Sequence, residues 1–143
     1  MSSNTAIIAI TTVLLFFKIV AVAMVQGIAR LRAGKFTRAE DAEQWKGELV
    51  SNDVPLADRA QRTLRNDMEN IPIFLLLVWA WAVVGASTIL LSTVCAVFVV
   101  ARVTHTLTYL RPRQPLRNRA YVSGLVACLV ACGGIGWALL LGL

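Results

Sequence analysis

Arg62-Thr63-Leu64-Arg65-Asn66-Asp67-Met68-Glu69-Asn70 runs directly into an apolar stretch from Ile71 to Val84. Arg62, Arg65, Asn66 and Glu69 recur at i, i+3, i+4 and i+7, the spacing that puts side chains on one face of an α-helix. Two guanidiniums, an amide and a carboxylate therefore project together where a helix enters hydrocarbon. Polar groups at that level are costly unless they pair with each other, with water or with a ligand. Such a face has two readings. It is a helix end tied by internal salt bridges, or it binds a small zwitterion that carries several carboxylates.

Outward from this stretch the chain is strongly apolar. Of its 143 residues 57% are hydrophobic and 15% charged, with a mean hydropathy of +0.68. A soluble domain of this size does not need so much apolar surface, and here the apolar residues come in long blocks. The expected fold is therefore all-α, an up-down four-transmembrane-helix bundle in a single domain over 1–143, with spans at about 6–29, 60–85, 89–110 and 118–140. No cleavable leader is expected, because the first apolar run is too long and lacks a basic start. Pro72 is expected to kink the second span.

Charge is distributed unevenly. Apart from Lys18 and Arg102, every Lys and Arg falls in or beside the first and third connections. The positive-inside rule then puts both basic connections in the cytoplasm and both termini on the opposite side. Lys18 sits near the middle of the first span, and all eight acidic residues lie between Glu40 and Glu69. Its expected partner in the membrane is Asp67, with Glu69 as the alternative.

The connections also carry detail. In the first, Thr37 and Glu40 have capping-box spacing, and Phe36, Trp45 and Leu49 are available to pack the segment into an ordered loop. The third, Arg111 to Arg119, reads as a short basic turn with two prolines. In the last span Gly124, Cys128, Cys132 and Gly136 recur every four residues beside Ala127 and Ala131, a small-residue ridge for close helix packing. Cys95, Cys128 and Cys132 lack CxxC spacing and read as reduced packing residues. With one histidine, His105, no zinc-type site is expected, and the expected partners do not include nucleic acid.

Arg102, His105 and Tyr109 share a face of the third span, and Arg117 and Tyr121 share one at the start of the fourth. In an up-down bundle these faces meet the Arg62–Glu69 face at the cytoplasmic end. Three polar faces converging at one level argue for a site more strongly than any one of them.

Taken together, Arg65-Asn-Asp-Met-Glu-Asn70, Arg30-Leu-Arg32, Glu40-Asp-Ala42, Arg102-Val-Thr-His-Thr-Leu-Thr-Tyr109 and Pro115-Leu-Arg117 resemble the MAPEG family, the membrane-associated proteins of eicosanoid and glutathione metabolism. The resemblance covers nearly the whole chain. Its prostaglandin synthase branch is nearer than its glutathione transferase branch. The resemblance implies a homotrimer that binds glutathione between neighbouring subunits on the cytoplasmic side, in a bacterial inner membrane or the endoplasmic reticulum. It implies that Arg62, Arg65, Asn66, Glu69, His105, Tyr109, Arg117 and Tyr121 line that site, and that Arg30 reaches in from the adjacent subunit. It also implies a role for Asp41 near the reaction centre. One departure is Asn118, which follows Arg117 where the synthase branch has a serine taken to hold the thiol.

The residue chemistry agrees with that resemblance. Arginine forks bind carboxylates in bidentate fashion, and Glu69 can accept from an ammonium. A guanidinium beside a thiol favours the thiolate nucleophile, a role for Arg117 assisted by Asn118. The leading reading is a glutathione transferase or peroxidase acting on lipophilic electrophiles or hydroperoxides that arrive through membrane lipid, as in detoxification. The alternative is a glutathione-dependent isomerase of a lipid endoperoxide. A non-enzymatic lipid-binding scaffold ranks last, because the expected ligand-binding arginines and glutamate are all present.

Overall fold

The computed structural model describes residues 2–142. The chain forms helix α1 (Ser3–Ala33), strand β1 (Lys35–Phe36), helix α2 (Ala39–Gln44), strand β2 (Glu48–Leu49), then α3 (Pro55–Val83), α4 (Thr88–Leu110) and α5 (Gln114–Gly142). The four long helices pack into one bundle. At its closed end the Asn4 amide donates to the Ala86 carbonyl at 2.9 Å and accepts from the Thr88 hydroxyl at 2.8 Å. The start of α1 therefore sits beside the α3–α4 connection. The α1–α3 and α4–α5 connections lie at the other end, and the topology is up-down.

Three helices, α1, α4 and α5, are long and apolar enough to cross a membrane. Helix α3 differs because its first four turns carry the charged stretch. Its apolar part, Ile71 to Val83, extends only about 20 Å at 1.5 Å per residue, against a hydrocarbon core of about 30 Å.

The core is a column of Ile8, Leu15, Phe74, Val78, Leu91, Phe98 and Ala131, all essentially sealed from solvent. Phe74 and Phe98 stack face to face across α3 and α4, with ring planes 3° apart. The small-residue ridge of α5 is real but rotated from its expected line. Gly124, Ala127 and Ala131 are buried, and Gly134 lies under the Trp81 ring, whereas Cys132 and Gly136 are exposed. Strict four-residue spacing advances 400° on a helix and drifts off the contact line. Alternating steps of three and four stay on it.

Several local expectations are corrected. Helix α3 starts at Pro55, ahead of the span expected at 60–85, with proline at its first turn, where the missing N–H is harmless. Pro72 lies inside this helix, as its place in the expected second span required. The Arg111–Arg119 turn shrinks to three residues, because α5 begins at Gln114 and takes in Pro115, Arg117 and Asn118. The capping box does not form. Arg38 occupies the N-cap of α2 with no side-chain bond, which leaves Thr37 one residue too early.

The first connection is ordered by backbone more than by aromatic packing. Gly34 ends α1 with φ 60°, and its N–H bonds the Arg30 and Leu31 carbonyls. Strands β1 and β2 pair in parallel, Lys35 with Glu48 and Phe36 with Leu49. Phe36 is buried against Gly47, where a Cβ would meet its ring at 2.4 Å. Trp45 and Leu49 stay exposed.

Candidate functional site

The polar faces converge at the open end of the bundle. Helix α3 brings Arg62, Arg65, Asn66 and Glu69. Helix α4 brings Arg102, His105 and Tyr109, and the first two turns of α5 bring Arg117 and Tyr121. The Arg117 guanidinium lies 5.0 Å from the centre of the Tyr109 ring, within cation–π range. The His105 ring centre is 5.7 Å from Tyr109 and 6.4 Å from Tyr121. Arg117 is one turn inside α5, so the positive end of that helix dipole adds to its charge. Together they favour an anion bound between α4 and α5.

The α3 face is held differently. Arg65 donates from Nε to Glu69 Oε1 at 3.3 Å, and Arg62 from Nε to Asp58 Oδ1 at 3.1 Å, both as i, i+4 pairs on exposed surface. Exposed pairs of this kind contribute little to stability. Both guanidiniums can therefore be recruited by a ligand at little cost. Tyr109 also lies close enough to interact with Arg62, which joins the α3 face to the α4–α5 cluster.

Beneath this surface is a buried ionic group. The Lys18 ammonium pairs with the Asp67 carboxylate, with side chains 8% and 0% exposed. This is the partner expected from the scarcity of acids near hydrocarbon. Asp67 is also near Arg102, whose Nη2 donates to Asn66 Oδ1 at 2.9 Å. Arg102 is thus part of the site's support, although it is absent from the binding residues read from sequence. Its signal was its place as the sole charged residue of the third span, in register with His105 and Tyr109.

Asp53 is the other residue sequence reasoning passed over. It accepts Arg30 Nε at 3.0 and 3.1 Å and Arg30 Nη2 at 2.5 Å. These hydrogen bonds are the main reason the Arg30 guanidinium is held above its usual range, with Asp41 adding to the effect. Arg30 is a permanent cation in the last turn of α1, tied to the segment that leads into α3. A polar recess of about 380 Å³, lined by Asp53, Asp58, Arg59 and Arg62, opens next to it. Asp41, on the first turn of α2, is close enough to Arg30 to reinforce its charge. Asn118 is exposed, and its side chain makes no hydrogen bond among the described residues. A larger cavity of about 700 Å³ lies at the closed end between Trp81 and Trp137. It has no charged lining and is not the polar site.

A helical bundle with three helices apolar enough to cross a membrane and its polar groups gathered at one end defines an integral membrane protein. Comparison with known proteins narrows the class. The MAPEG family model matches residues 8–137. Prostaglandin E synthase from Bos taurus and that from Homo sapiens are each 34% identical to this chain over 125 residues, covering 87% of it and 82% of the relative. The enzyme of that name from Rattus norvegicus is 35% identical over the same length and coverage. The chain belongs to the MAPEG family.

Among the described residues no cluster of histidine, cysteine and carboxylate side chains is placed to hold a metal ion.

Proposed function

We propose that this protein is a glutathione-dependent membrane enzyme that activates the thiolate for attack on lipophilic electrophiles or hydroperoxides. The observation that carries this reading is the meeting of Arg117, Tyr109, His105 and Tyr121 with the weakly engaged Arg62–Arg65–Glu69 face. Glutathione has two carboxylates, one ammonium and a thiol. Arg62 and Arg65 suit the carboxylates, Glu69 the ammonium and Asn66 a backbone amide of the peptide. Arg117 suits the thiolate.

In this reading α3 is the fourth membrane-crossing helix, with the charged stretch at the cytoplasmic interface and both termini on the opposite side. Subunits associate as homotrimers, so that the exposed α3 face is covered by a neighbour. The neighbour's Arg30, braced by Asp53, and its Asp41 then complete the site.

The chemistry balances without any other resident group. In transfer, the thiolate sulfur forms a bond to carbon and the leaving group departs with its electron pair. In peroxide reduction, the thiolate sulfur bonds the outer peroxide oxygen as the O–O bond breaks, the alkoxide takes a proton from water and leaves as the alcohol, and glutathione becomes its sulfenic acid. A second glutathione then releases the oxidised disulfide and water.

A second reading, isomerisation of a lipid endoperoxide with glutathione regenerated, is favoured by the similarity to prostaglandin E synthases. The purified protein should be assayed with glutathione and, separately, an aryl halide, a lipid hydroperoxide and a prostaglandin endoperoxide. Thioether from the first, or alcohol with oxidised glutathione from the second, is expected. Turnover of the endoperoxide alone, with glutathione recovered, would establish the isomerase instead.

A further inference from the structure

Arg102 is the largest side chain fully enclosed in the bundle, at 1% exposure. Its setting is electrostatically unbalanced. The one carboxylate nearby, Asp67, is already paired with Lys18, so two cations share one anion. Among the described residues Arg102 makes a single hydrogen bond, from Nη2 to Asn66 Oδ1. Its Nε and Nη1 are buried without partners. The Phe98 ring, 5.8 Å away, offers only a weak cation–π contact. Burying a guanidinium this way works against folding, and packing alone does not explain it.

The hydrogen bond has a chemical consequence. A guanidinium carries donors only, so Asn66 must present its amide oxygen to it. The amino group, on the other edge of the same planar amide, is then turned away from Arg102. Asn66 is half-buried at the edge of the helix face that carries Arg62, Arg65 and Glu69, so its amino group is the part of the amide left for a ligand on that face.

We propose that Arg102 is a positioning residue: it locks the Asn66 amide so that the α3 face offers a donor, and selects a ligand with a carbonyl or carboxylate oxygen at that point. This deepens the glutathione reading and rests on it. Without Arg102 the amide is free to turn over, and the donor is no longer held in place.

The test is a double-mutant cycle of Arg102→Met and Asn66→Ala, with glutathione binding measured by calorimetry and thermal midpoints on the same samples. Arg102→Met should weaken binding about tenfold, the size of one hydrogen bond, with the midpoint unchanged or raised because an unbalanced buried charge is gone. In the Asn66→Ala background the same change should add nothing. Arg102→Lys, which still donates, should keep part of the affinity, and it serves as the folded comparison if the methionine variant misfolds. Wild-type affinity in Arg102→Met, or losses that simply add in the double variant, would overturn the proposal.

The Asn66 side-chain amide signals of the ligand-free protein test the geometry separately by NMR. They should move in Arg102→Lys and Arg102→Met, and unmoved signals overturn the positioning role. If those signals move but the wild type does not bind glutathione, the functional reading fails and the positioning of Asn66 stands.

Discussion

Lys18 on α1 and Asp67 on α3 pair inside the bundle, and among the described residues Asp67 is the single anion between Lys18 and Arg102. That arrangement predicts an asymmetry. Asp67→Asn leaves two buried cations without a counter-charge and should be severely destabilising, at the upper end of the roughly 3–5 kcal/mol typical of a broken buried pair. Lys18→Met leaves Asp67 free to use the unpartnered donors of Arg102 and should cost about 3 kcal/mol or less. Thermal midpoints in detergent measure both, and Lys18→Met/Asp67→Asn should fall between the wild type and Asp67→Asn. Equal losses in the two single variants would mean that Arg102 does not share the carboxylate.

Glu69 and Arg65 separate binding from folding. Their pair is 3.3 Å long with both side chains exposed, so Glu69→Gln should change stability by about 0.5 kcal/mol or less. Glutathione affinity should fall by a larger factor, because a ligand ammonium loses its ionic acceptor. Calorimetric binding and melting measured on one preparation decide the matter. Unchanged affinity would return this face to a purely structural role.

Two glycines of α5 should behave oppositely. A Cβ at Gly134 would lie 2.2 Å from the Trp81 ring, which is itself buried, whereas a Cβ at Gly136 meets nothing within 4 Å. Gly134→Ala should destabilise by about 1–3 kcal/mol through overpacking. Gly136→Ala should be neutral or slightly stabilising, since alanine is the better helix former. Thermal midpoints of the two variants test the contrast, and a neutral Gly134→Ala would mean that the Trp81 indole moves aside freely.

These contrasts show where sequence was informative. Long apolar blocks require helices, and the shortage of acids near hydrocarbon leaves Lys18 few partners, so the bundle and the Lys18–Asp67 pair were both legible. Helical spacing likewise put Arg62, Arg65, Asn66 and Glu69 on one face. The ridge on α5 was misplaced because Cys132 and Gly136 are small but point outward, and size alone does not say which side of a helix faces its neighbour. Two-residue strands carry no periodicity, so the pairing of Lys35–Phe36 with Glu48–Leu49 left no trace. Arg30 with Asp53, and Arg102 with Asn66, depend on chain reversals that bring distant residues together, which spacing along one helix cannot reveal.

The last prediction concerns the thiol. Arg117 stacks over Tyr109 one turn inside α5, while Asn118 is exposed without a partner. A guanidinium and a helix N-terminus both stabilise an anion, and each unit of lowered thiol pKa corresponds to about 1.4 kcal/mol of preferential thiolate binding. Asn118 has an amide donor but no hydroxyl, so it can hydrogen-bond a thiolate yet is a poor proton shuttle. Transfer requires only a stabilised thiolate, and peroxide reduction adds one proton for the departing alkoxide, which water can supply. Endoperoxide isomerisation also requires a proton moved from one oxygen to another within the site, a task that would fall to the neighbouring subunit's Asp41. The ultraviolet thiolate band of bound glutathione, titrated against pH, should be largely lost in Arg117→Ala and only shifted in Asn118→Ala. Lowered thiol pKa means the wild-type band persists to lower pH than that of free glutathione, disappearing as pH falls through the bound value. A wild-type band in Arg117→Ala would remove Arg117 from this role, and the neighbouring subunit's Arg30 would be the next cation to test.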